Sequence, residues 1–430
     1  MTASTRHEEC AGFSASPWYT STASESFPSL TGELSTEVVV IGAGYTGLST
    51  ALQLARRNID VVVLEAQVPG WGASGRNNGG VVPDFAFSSV EKIVQNHGQA
   101  WGRKLCRLVD ESANRLRELV AGLDDDCDLV LNGFADLAHS RERVAFLRAR
   151  FESLSERGHQ VRWLGEEESA HVAGSPFYGH GGYLLEGAGH VNPLKLAQAL
   201  ARAVKASGGR IFAHSAATTI AAAQGGWRVT TAAGAVLARQ VVIAQNAYAG
   251  QLWPGLHKGT IRIQPWLVAT KPLSEEISST VIPHDYLIGD SHPLPYFFRK
   301  DREGRLSASV VRGLDVFGGK PDPKAMAAVL KEIFPQIGEV EFECLWQGTA
   351  TLQPGELPRI VSLANGVWAA FGFGRGVTMT HVVGAALADL CAGMTPEEAG
   401  YPVTAFEKIK LAGLIEKLLP AVLLLLNRRG

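Results

Sequence analysis

The sequence predicts an α/β protein in which a discontinuous Rossmann-type nucleotide-binding domain is interrupted by an inserted, mostly antiparallel α+β domain. The segment EVVVIGAGYTGLSTALQLARRNIDVVVLEA places a β-branched run, a glycine turn, a helical pattern and a second β-branched run within about 30 residues. This order is typical of a βαβ unit. A second strand, turn and helix pattern, GVWAAFGFGRGVTMTHVVGAALADLCAG, lies near the other end of the chain. Between them the strand patterns IRIQPWLVAT, PYFFRK and RLSASVV alternate with turns, as in an antiparallel sheet.

These patterns divide the chain into four parts. Apolar residues at helical spacing predict two helices between Ser88 and Val120, and ARQVVIAQNAY predicts a buried parallel strand. The predicted parts are an N-terminal arm (1–35), the nucleotide-binding domain (36–95, 185–255 and 356–395), the substrate domain (96–184 and 256–355) and a C-terminal amphipathic helix (396–430).

Composition and charge exclude several classes of function. The 40 Lys and Arg and 42 Asp and Glu give a net charge of -2, and no dense basic face is evident, so nucleic acid is not expected as a partner. The five cysteines are odd in number, scattered and never in a C-x-x-C pair, which indicates neither a disulfide framework nor a zinc site. With no apolar region near the N-terminus to suggest a secretory signal, we expect a cytoplasmic protein without a bound metal.

The first motif is a glycine turn between a strand and a helix. Gly42, Gly44 and Gly47 have the G-x-G-x-x-G spacing, which permits a tight turn and brings backbone amides and a helix N-terminus to a pyrophosphate. Glu65 ends the next strand, where a carboxylate accepts hydrogen bonds from ribose hydroxyls. An acid at this place argues against a 2′-phosphate and leaves FAD or NAD as the cofactor.

Two further glycine-rich turns favour FAD. The loop from Gly72 to Gly80 offers Ser74, Arg76 and Asn77 close to the ribose acid, a set suited to phosphates and to a flavin ring. The turn GFGRGVT precedes a helix near the C-terminus, and a helix N-terminus stabilises the anionic pyrimidine edge of a reduced flavin. An NAD-dependent dehydrogenase would explain the first motif and leave these two without a role.

The motifs together resemble a known family. IGAGYTGLS, GASGRNNGG, GHVNPLKLAQALARA, VVIAQNAYAG and GFGRGVTMTHVVG, in this order, are similar to the FAD-dependent amine oxidoreductases that include D-amino-acid, glycine and sarcosine oxidases. Within the family the likeness is closest to the gamma-glutamylputrescine oxidase and L-pipecolate oxidase types, through VATKPL and the tail YPVTAFEKIKLAGL. The resemblance implies that a carbon beside an amine delivers hydride to the flavin, giving an imine that water hydrolyses.

The resemblance also implies site residues. FAD is expected to be held by Gly42, Gly44, Gly47, Glu65, Ser74, Arg76 and Asn77, with Ala217 on the adenine side and Gly374, Gly376, Val377 and Thr378 facing the flavin. Sarcosine oxidases have a carboxylate-binding lysine where this chain has Thr378, and an oxygen-activating lysine near Ser307. Their covalent cysteine would fall near Gly348. Sarcosine as substrate, efficient use of oxygen and covalent flavin are therefore not expected.

Substrate contacts are then expected from the inserted sheet. Trp266 is the candidate for an aromatic wall that recognises a hydrophobic or cationic amine, and Tyr296 and Arg299 lie together on one strand pattern. Arg299 is a candidate to pair with a substrate carboxylate, and Arg375 to supply a positive charge beside the flavin. The first hypothesis is a gamma-glutamyl polyamine substrate; alternatives are a cyclic or N-alkyl amino acid, or a flavin-binding protein without turnover.

The C-terminal stretch PVTAFEKIKLAGLIEKLLPAVLLLLNRRG predicts an amphipathic helix that is interrupted at Pro420. Either the helix packs on the body of the enzyme, or its leucines enter a membrane surface while Arg428 and Arg429 meet anionic head groups.

Overall fold

The computed structural model describes residues 16–85, 88–293, 295–309, 322–352, 357–374 and 376–429. Its strands are β1 (Gly32–Ile41), β2 (Val61–Leu64), β3 (Gly80–Val81), β4 (Phe134–Leu137), β5 (Val161–Leu164), β6 (Gly182–Leu185), β7 (Gly189–His190), β8 (Arg210–Phe212), β9 (Thr219–Ala223), β10 (Gly226–Thr230), β11 (Gly234–Ile243), β12 (Ile261–Ile263), β13 (Trp266–Pro272), β14 (Leu287–Asp290), β15 (Phe297–Lys300), β16 (Arg305–Ser309), β17 (Phe342–Gln347), β18 (Ala350–Leu352), β19 (Arg359–Ala364), β20 (Val367–Phe371) and β21 (Val403–Thr404).

Its helices are α1 (Pro17–Thr20), α2 (Tyr45–Arg56), α3 (Val90–Ala121), α4 (Val144–Glu156), α5 (Glu166–Ala173), α6 (Pro193–Ala206), α7 (Glu275–Ser278), α8 (Pro323–Ile333), α9 (Gly376–Cys391), α10 (Pro396–Ala399) and α11 (Ala412–Arg429). Within the described residues, no helix is both long enough and apolar enough to cross a membrane.

The first sheet carries the two glycine turns that follow buried strands. Its order is β21-β19-β20-β11-β1-β2-β8, with β10 and β9 extending from β11. β1 pairs in parallel with β11 on one side and with β2 on the other. Their β-branched runs are buried on both faces, as expected for parallel strands between two layers. The prediction that ARQVVIAQNAY forms a buried parallel strand is confirmed.

Helices α2, α6 and α9 cover one face of this sheet. Their apolar side chains share one buried cluster with alternate residues of β1 and β2, including Val38 and Val40. The other residues of the same strands, such as Val39 and Ile41, belong to a cluster on the opposite face with residues of β10 and β11. This alternation follows from the two-residue repeat of a strand.

The second sheet has the order β17-β13-β16-β15-β14-β4-β6-β5. Its neighbours pair antiparallel except for β14 with β4. The prediction of an α/β fold with an inserted, mostly antiparallel sheet is therefore confirmed. Helix α8 covers one face through Met326, Val329, Leu330 and Ile333, whereas the other face contains Leu267 and Ala269 of β13 and meets the loop that follows β2.

Helix α3 crosses the predicted domain boundary at residue 96. α3 runs from Val90 to Ala121 with a break at Gly98, where φ is 76°, so the two predicted helices are two segments of one element. Its buried residues Leu105, Val109 and Leu116 belong to the cluster of α2 and α9. Residues 99–121 therefore pack on the nucleotide-binding side rather than with the second sheet, because their apolar face is buried there.

Both ends of the chain also differ from prediction. β1 already begins at Gly32, and α1 gives the N-terminal arm a short helix. The predicted helix over 396–430 is replaced by α10, by β21 paired with β19, and by α11 from Ala412. α11 continues through Pro420, because a proline removes one hydrogen bond and can be accommodated within a helix rather than ending it.

Candidate active site

The first glycine turn forms an anion site at the start of α2. Gly42 has a φ of 106°, which favours glycine, and its amide donates to the Leu64 carbonyl at 2.8 Å. Gly44 is the N-cap and provides no side chain to cap the helix. A Cβ on Gly47 would collide with the Gly42 carbonyl, so α2 can pack against the turn only with glycine there. The start of α2 therefore has the geometry of an anion-binding turn.

Glu65 is held by the turn that it faces. Its two carboxylate oxygens accept hydrogen bonds from the amides of Ala43, at 2.7 Å, and Gln67, at 2.9 Å. Burial raises the pKa of Glu65, and these amide donors act in the opposite direction. The Glu65 carbonyl accepts a hydrogen bond from the amide of Ser215 at 2.7 Å. Ala217, which is half-buried, follows Ser215 by two residues. This placement is consistent with an adenosine binding beside Glu65 and Ala217.

The second motif, which is the loop from Gly72 to Gly80, contacts the N-terminus of the same helix, α2. Ser74 Oγ accepts from the Tyr45 amide at 3.0 Å, which replaces the missing side-chain cap of Gly44. The Asn77 amide group donates to the carbonyls of Ala73 and Ser74, and its Oδ1 accepts from the Gly79 amide at 2.7 Å. The Asn77 side chain therefore stabilises the loop. The sequence predicted Asn77 only as a cofactor-binding residue and not for this role.

Arg76 joins the loop to the second sheet. The residue is buried; its Nε donates to the Trp71 carbonyl at 2.7 Å and Nη1 donates to the Gln347 carbonyl at 3.2 Å. The guanidinium also lies 4.2 Å from the centre of the Trp71 ring. In turn, Trp346 Nε1 donates to the Arg76 carbonyl at 2.8 Å. Arg76 thus positions the loop between the two sheets.

The third motif brings the start of α9 to the carboxyl ends of β11 and β20. Gly376 begins α9, and Val377 and Thr378 are buried in its first turn, while Gly374 is exposed. Arg375 lies outside the described residues. The helix N-terminus is therefore available in the place that the sequence analysis predicts for the flavin-facing turn.

Asn246 is a site residue that the sequence analysis missed. It follows β11 with a φ of 45°, and its Oδ1 accepts hydrogen bonds from the Gly372 amide and from Thr351 Oγ1, both at 3.1 Å. It thereby connects the ends of β11, β20 and β18. The signal was present in VVIAQNAY, where a polar pair follows a buried strand at the edge that binds ligands in such sheets.

Arg299 lies beside the flavin-type loop but is already engaged. It is only 1% exposed, and its Nη1 donates to the carbonyls of Val191, at 2.6 Å, and Asn78, at 3.3 Å. Burial lowers the pKa of Arg299 to about 10. Because the guanidinium supports two backbone segments, it is not presented as a free group for a substrate carboxylate, in contrast to the expected role.

Trp266 and Tyr296 lie on the opposite face of the second sheet. Both pack against the cluster that α8 covers, and Tyr296 stacks on His292 with 4.7 Å between ring centres. Side chains alternate along a strand, so Trp266 points away from the face that carries Ser307 and Arg299. The structure therefore brings Arg299 to the loop and separates it from Trp266 and Tyr296, which corrects the predicted grouping of these residues.

The residues around the two turns fit FAD. The N-terminus of α2, which begins after Gly44, the half-buried acid Glu65 and the loop that leads from Ser74 to the second sheet offer groups suited to a pyrophosphate, a ribose and a ring. The face that meets this loop includes buried Ser307, whose Oγ donates to Asn78 Oδ1 at 2.9 Å.

Comparison with known proteins identifies the family of this chain. Residues 37–390 match the family model described as FAD dependent oxidoreductase. The chain is 32% identical to gamma-glutamylputrescine oxidoreductase of Escherichia coli over 374 residues, which cover 85% of this chain and 86% of the relative. It is 24% identical to a glycine oxidase of Pseudomonas aeruginosa over 84% of this chain and 96% of that protein.

Solved structures show the same fold. L-amino acid deaminase from Proteus vulgaris superposes with a TM-score of 0.71 at 22% identity, covering 89% of this chain and 97% of that one. Glycine oxidase from Geobacillus kaustophilus superposes with a TM-score of 0.68 at 20% identity, covering 87% and 96%. The family match over most of the chain, together with the glycine turns and the acid beside them, leads to one conclusion: this protein belongs to the FAD-dependent oxidoreductase family and uses FAD.

Proposed function

We propose that this enzyme oxidises an amine of the gamma-glutamyl polyamine type at the carbon next to the nitrogen. The bound cofactor would supply the hydride acceptor, and the resulting imine hydrolyses in water. The name of the Escherichia coli relative, which shares 32% identity over 85% of this chain, supports this substrate class. The contribution of the protein is to hold the amine against the flavin and to exclude competing groups.

The observation that carries the proposal is the neutral character of the loop-facing surface of the second sheet. Of the candidate substrate residues that the structure describes, only Arg299 is cationic, and its guanidinium is bonded to backbone carbonyls. Ser307 and Thr378, where sarcosine oxidases are expected to have lysines, are buried and uncharged. An amino acid oxidised at its α-carbon carries a carboxylate one bond from the reacting carbon and needs a cation there. A gamma-glutamyl amine carries its carboxylate many bonds away.

An anaerobic reduction screen tests this proposal. We expect gamma-glutamylputrescine to bleach the flavin absorbance roughly a hundredfold faster than sarcosine, glycine or proline at equal concentration, because the described substrate candidates offer no free cation to a carboxylate one bond from the reacting carbon. The control is free putrescine, which lacks the glutamyl group. Fastest reduction by proline or sarcosine would favour the cyclic or N-alkyl amino acid alternative, and no reduction by any amine would indicate a flavin protein without turnover.

For the electron acceptor, we propose that oxygen reacts slowly. Oxygen forms superoxide when it takes an electron, and a fixed positive charge nearby stabilises this anion. Ser307 is neutral and donates to Asn78, which leaves Arg375 as the candidate charge. We expect reoxidation by oxygen to be slower than by an artificial dye, and Arg375→Met to slow the oxygen step by roughly tenfold or more while FAD stays bound. Stopped-flow mixing with oxygenated buffer measures both; fast reoxidation that Arg375→Met does not change contradicts the proposal.

We also propose that the protein works in the cytoplasm and touches the membrane surface through α11. Cys106, Cys127, Cys344 and Cys391 are free thiols, which suits a reducing compartment. Leu414 and Leu418, four residues apart on α11, are 51% and 55% exposed, and Leu411, immediately before the helix, is 71% exposed. The salt bridge from Arg262 to Glu416, at 3.0 Å, ties α11 to β12 and supports this outward face. Exposed Lys410 and Lys417 lie beside it and suit anionic head groups.

Vesicle sedimentation tests the membrane contact. We expect the protein to pellet with phosphatidylcholine vesicles that contain phosphatidylglycerol, and the double variant Leu414→Ser, Leu418→Ser to remain largely in the supernatant, because two exposed leucines are removed from the face. Phe146→Ser, which changes an exposed aromatic side chain on α4, is the matched control. Equal pelleting of the double variant and the unchanged protein contradicts the contact.

A further inference from the structure

The side-chain amide of Asn78 has one end bonded and the other end without a partner. Its Oδ1 accepts the hydrogen bond from Ser307 Oγ at 2.9 Å. Its Nδ2 is buried from solvent and has no hydrogen-bond partner among the residues that the structure describes. A buried donor left unpaired costs about 1–3 kcal/mol, so a ligand or a water that pairs with it would stabilise this position.

The surroundings of Asn78 hold it in this position. Its carbonyl accepts from Arg299 Nη1 at 3.3 Å, and Arg299 is in turn bonded to the Val191 carbonyl. On one side the Asn77 side chain bridges to the Gly79 amide. A Cβ on Gly79 would lie 2.6 Å from Arg299 Nη1 and would also collide with the Val191 carbonyl. These contacts hold the backbone on both sides of Asn78, and its side-chain N–H groups are buried.

The loop relates Asn78 to the cofactor. It contacts the N-terminus of α2 at Ser74, where the pyrophosphate is expected, and reaches the second sheet at the contact between Asn78 and Ser307. FAD is an elongated molecule with its ring at the end remote from the adenosine. Because the loop leads from the expected phosphate end toward the second sheet, we expect the unpaired donor to lie near the ring.

We propose that the Asn78 amide donates a hydrogen bond to an acceptor atom on the edge of the flavin ring and that Ser307 orients it for this contact. A donor at the ring stabilises the electron-rich, reduced cofactor more than the oxidised one and raises its reduction potential. Ser307 is then a positioning residue: it occupies Oδ1 and thereby turns Nδ2 to the ring. The inference depends on FAD binding and not on which amine is the substrate.

Potentiometric titration of the holoenzyme with a reference dye tests the proposal without any amine. We expect Asn78→Ala to lower the ratio of reduced to oxidised flavin at a fixed solution potential by roughly tenfold, and to shift the visible absorption of the bound flavin. Ser307→Ala should change the ratio in the same direction by less, and Ser307→Thr, which keeps the hydroxyl, should restore it. The double variant should be no worse than Asn78→Ala, since both act through one hydrogen bond.

The matched control is Asn132→Ala, because Asn132 is an exposed asparagine whose Nδ2 donates to the His284 carbonyl at 2.8 Å. It should leave the potential unchanged. An unchanged potential and spectrum in Asn78→Ala with FAD bound would overturn the proposal, and so would tighter FAD binding by Asn78→Asp, which would show that the side chain accepts rather than donates. Failure of every amine to reduce the flavin would bear on the proposed function alone.

Discussion

Gly44→Val is expected to give a colourless protein that binds FAD at least about a hundredfold more weakly than the unchanged chain. A Cβ at this position would lie 2.9 Å from Ser74 Oγ, so valine forces apart the helix start and the loop that caps it. Such overpacking costs about 1–3 kcal/mol, and the added methyl groups also cover the amides that face the pyrophosphate. Fluorescence titration of the apoprotein with FAD measures the loss.

Gly165→Val is the matched control for this substitution. Gly165 is also a glycine N-cap, at the start of α5, with a φ of -72° against -83° at Gly44, and a Cβ there meets nothing within 4 Å. We expect this variant to bind FAD normally. Unchanged FAD affinity in Gly44→Val, or equal losses in both variants, would contradict the assignment of the first turn as the pyrophosphate site.

Asp84→Ala is expected to lower the free energy of unfolding by about 3 kcal/mol, the lower end of the cost of breaking a buried ion pair, because Arg150 keeps Asp136 at 3.7 Å and Arg157 keeps Asp110. Asp84 follows the second motif, and its buried carboxylate accepts from Arg150 Nη2 at 2.5 Å and from Arg157 Nη2 at 2.7 Å. Arg157 also bonds Asp110 on α3 at 2.5 Å. Removing Asp84 leaves two poorly hydrated guanidinium groups without their shared partner and detaches the loop from α4.

Urea unfolding followed by both circular dichroism and tryptophan fluorescence measures this loss. Asp60→Ala is the control, since Asp60 forms an ion pair with Arg210 in which the side chains are 46% and 40% exposed. Exposed pairs of this kind contribute about 0–1 kcal/mol. A loss below about 1 kcal/mol in Asp84→Ala would mean that α4 is held to the loop by apolar packing and not by these charges.

Motifs that lie within one stretch of chain were predictable because their function depends on local geometry. The spacing of Gly42, Gly44 and Gly47 between a buried strand and a helix is itself the requirement for a pyrophosphate turn. Glu65 was predictable for the same reason, since the length of the βαβ unit sets its distance from the turn. The alternation of short strand patterns likewise predicted the second sheet, because turns and strand periodicity are local properties.

Residues whose role depends on distant partners were not predictable in the same way. Arg299 reads as a surface or substrate arginine in PYFFRK, yet the fold places it beneath the loop, where Val191 and Asn78 supply its acceptors. Trp266 and Ser307 both lie on neighbouring strands, and only the register of β13 with β16 shows that they face opposite sides. The predicted boundary at residue 96 failed for a related reason. The apolar face of α3 indicates that the helix is buried on one side, but it does not indicate which sheet the helix packs against.

The chain alone thus determined the cofactor class, the family and the presence of an inserted, mostly antiparallel sheet, because each depends on patterns of a few tens of residues. The folded structure decided which polar groups share the site. Hydrogen bonds such as those from Arg76 to Gln347 and from Ser307 to Asn78 join residues more than 200 positions apart. Sequence periodicity cannot indicate such pairs, because they form only when the loop after β2 packs against the second sheet.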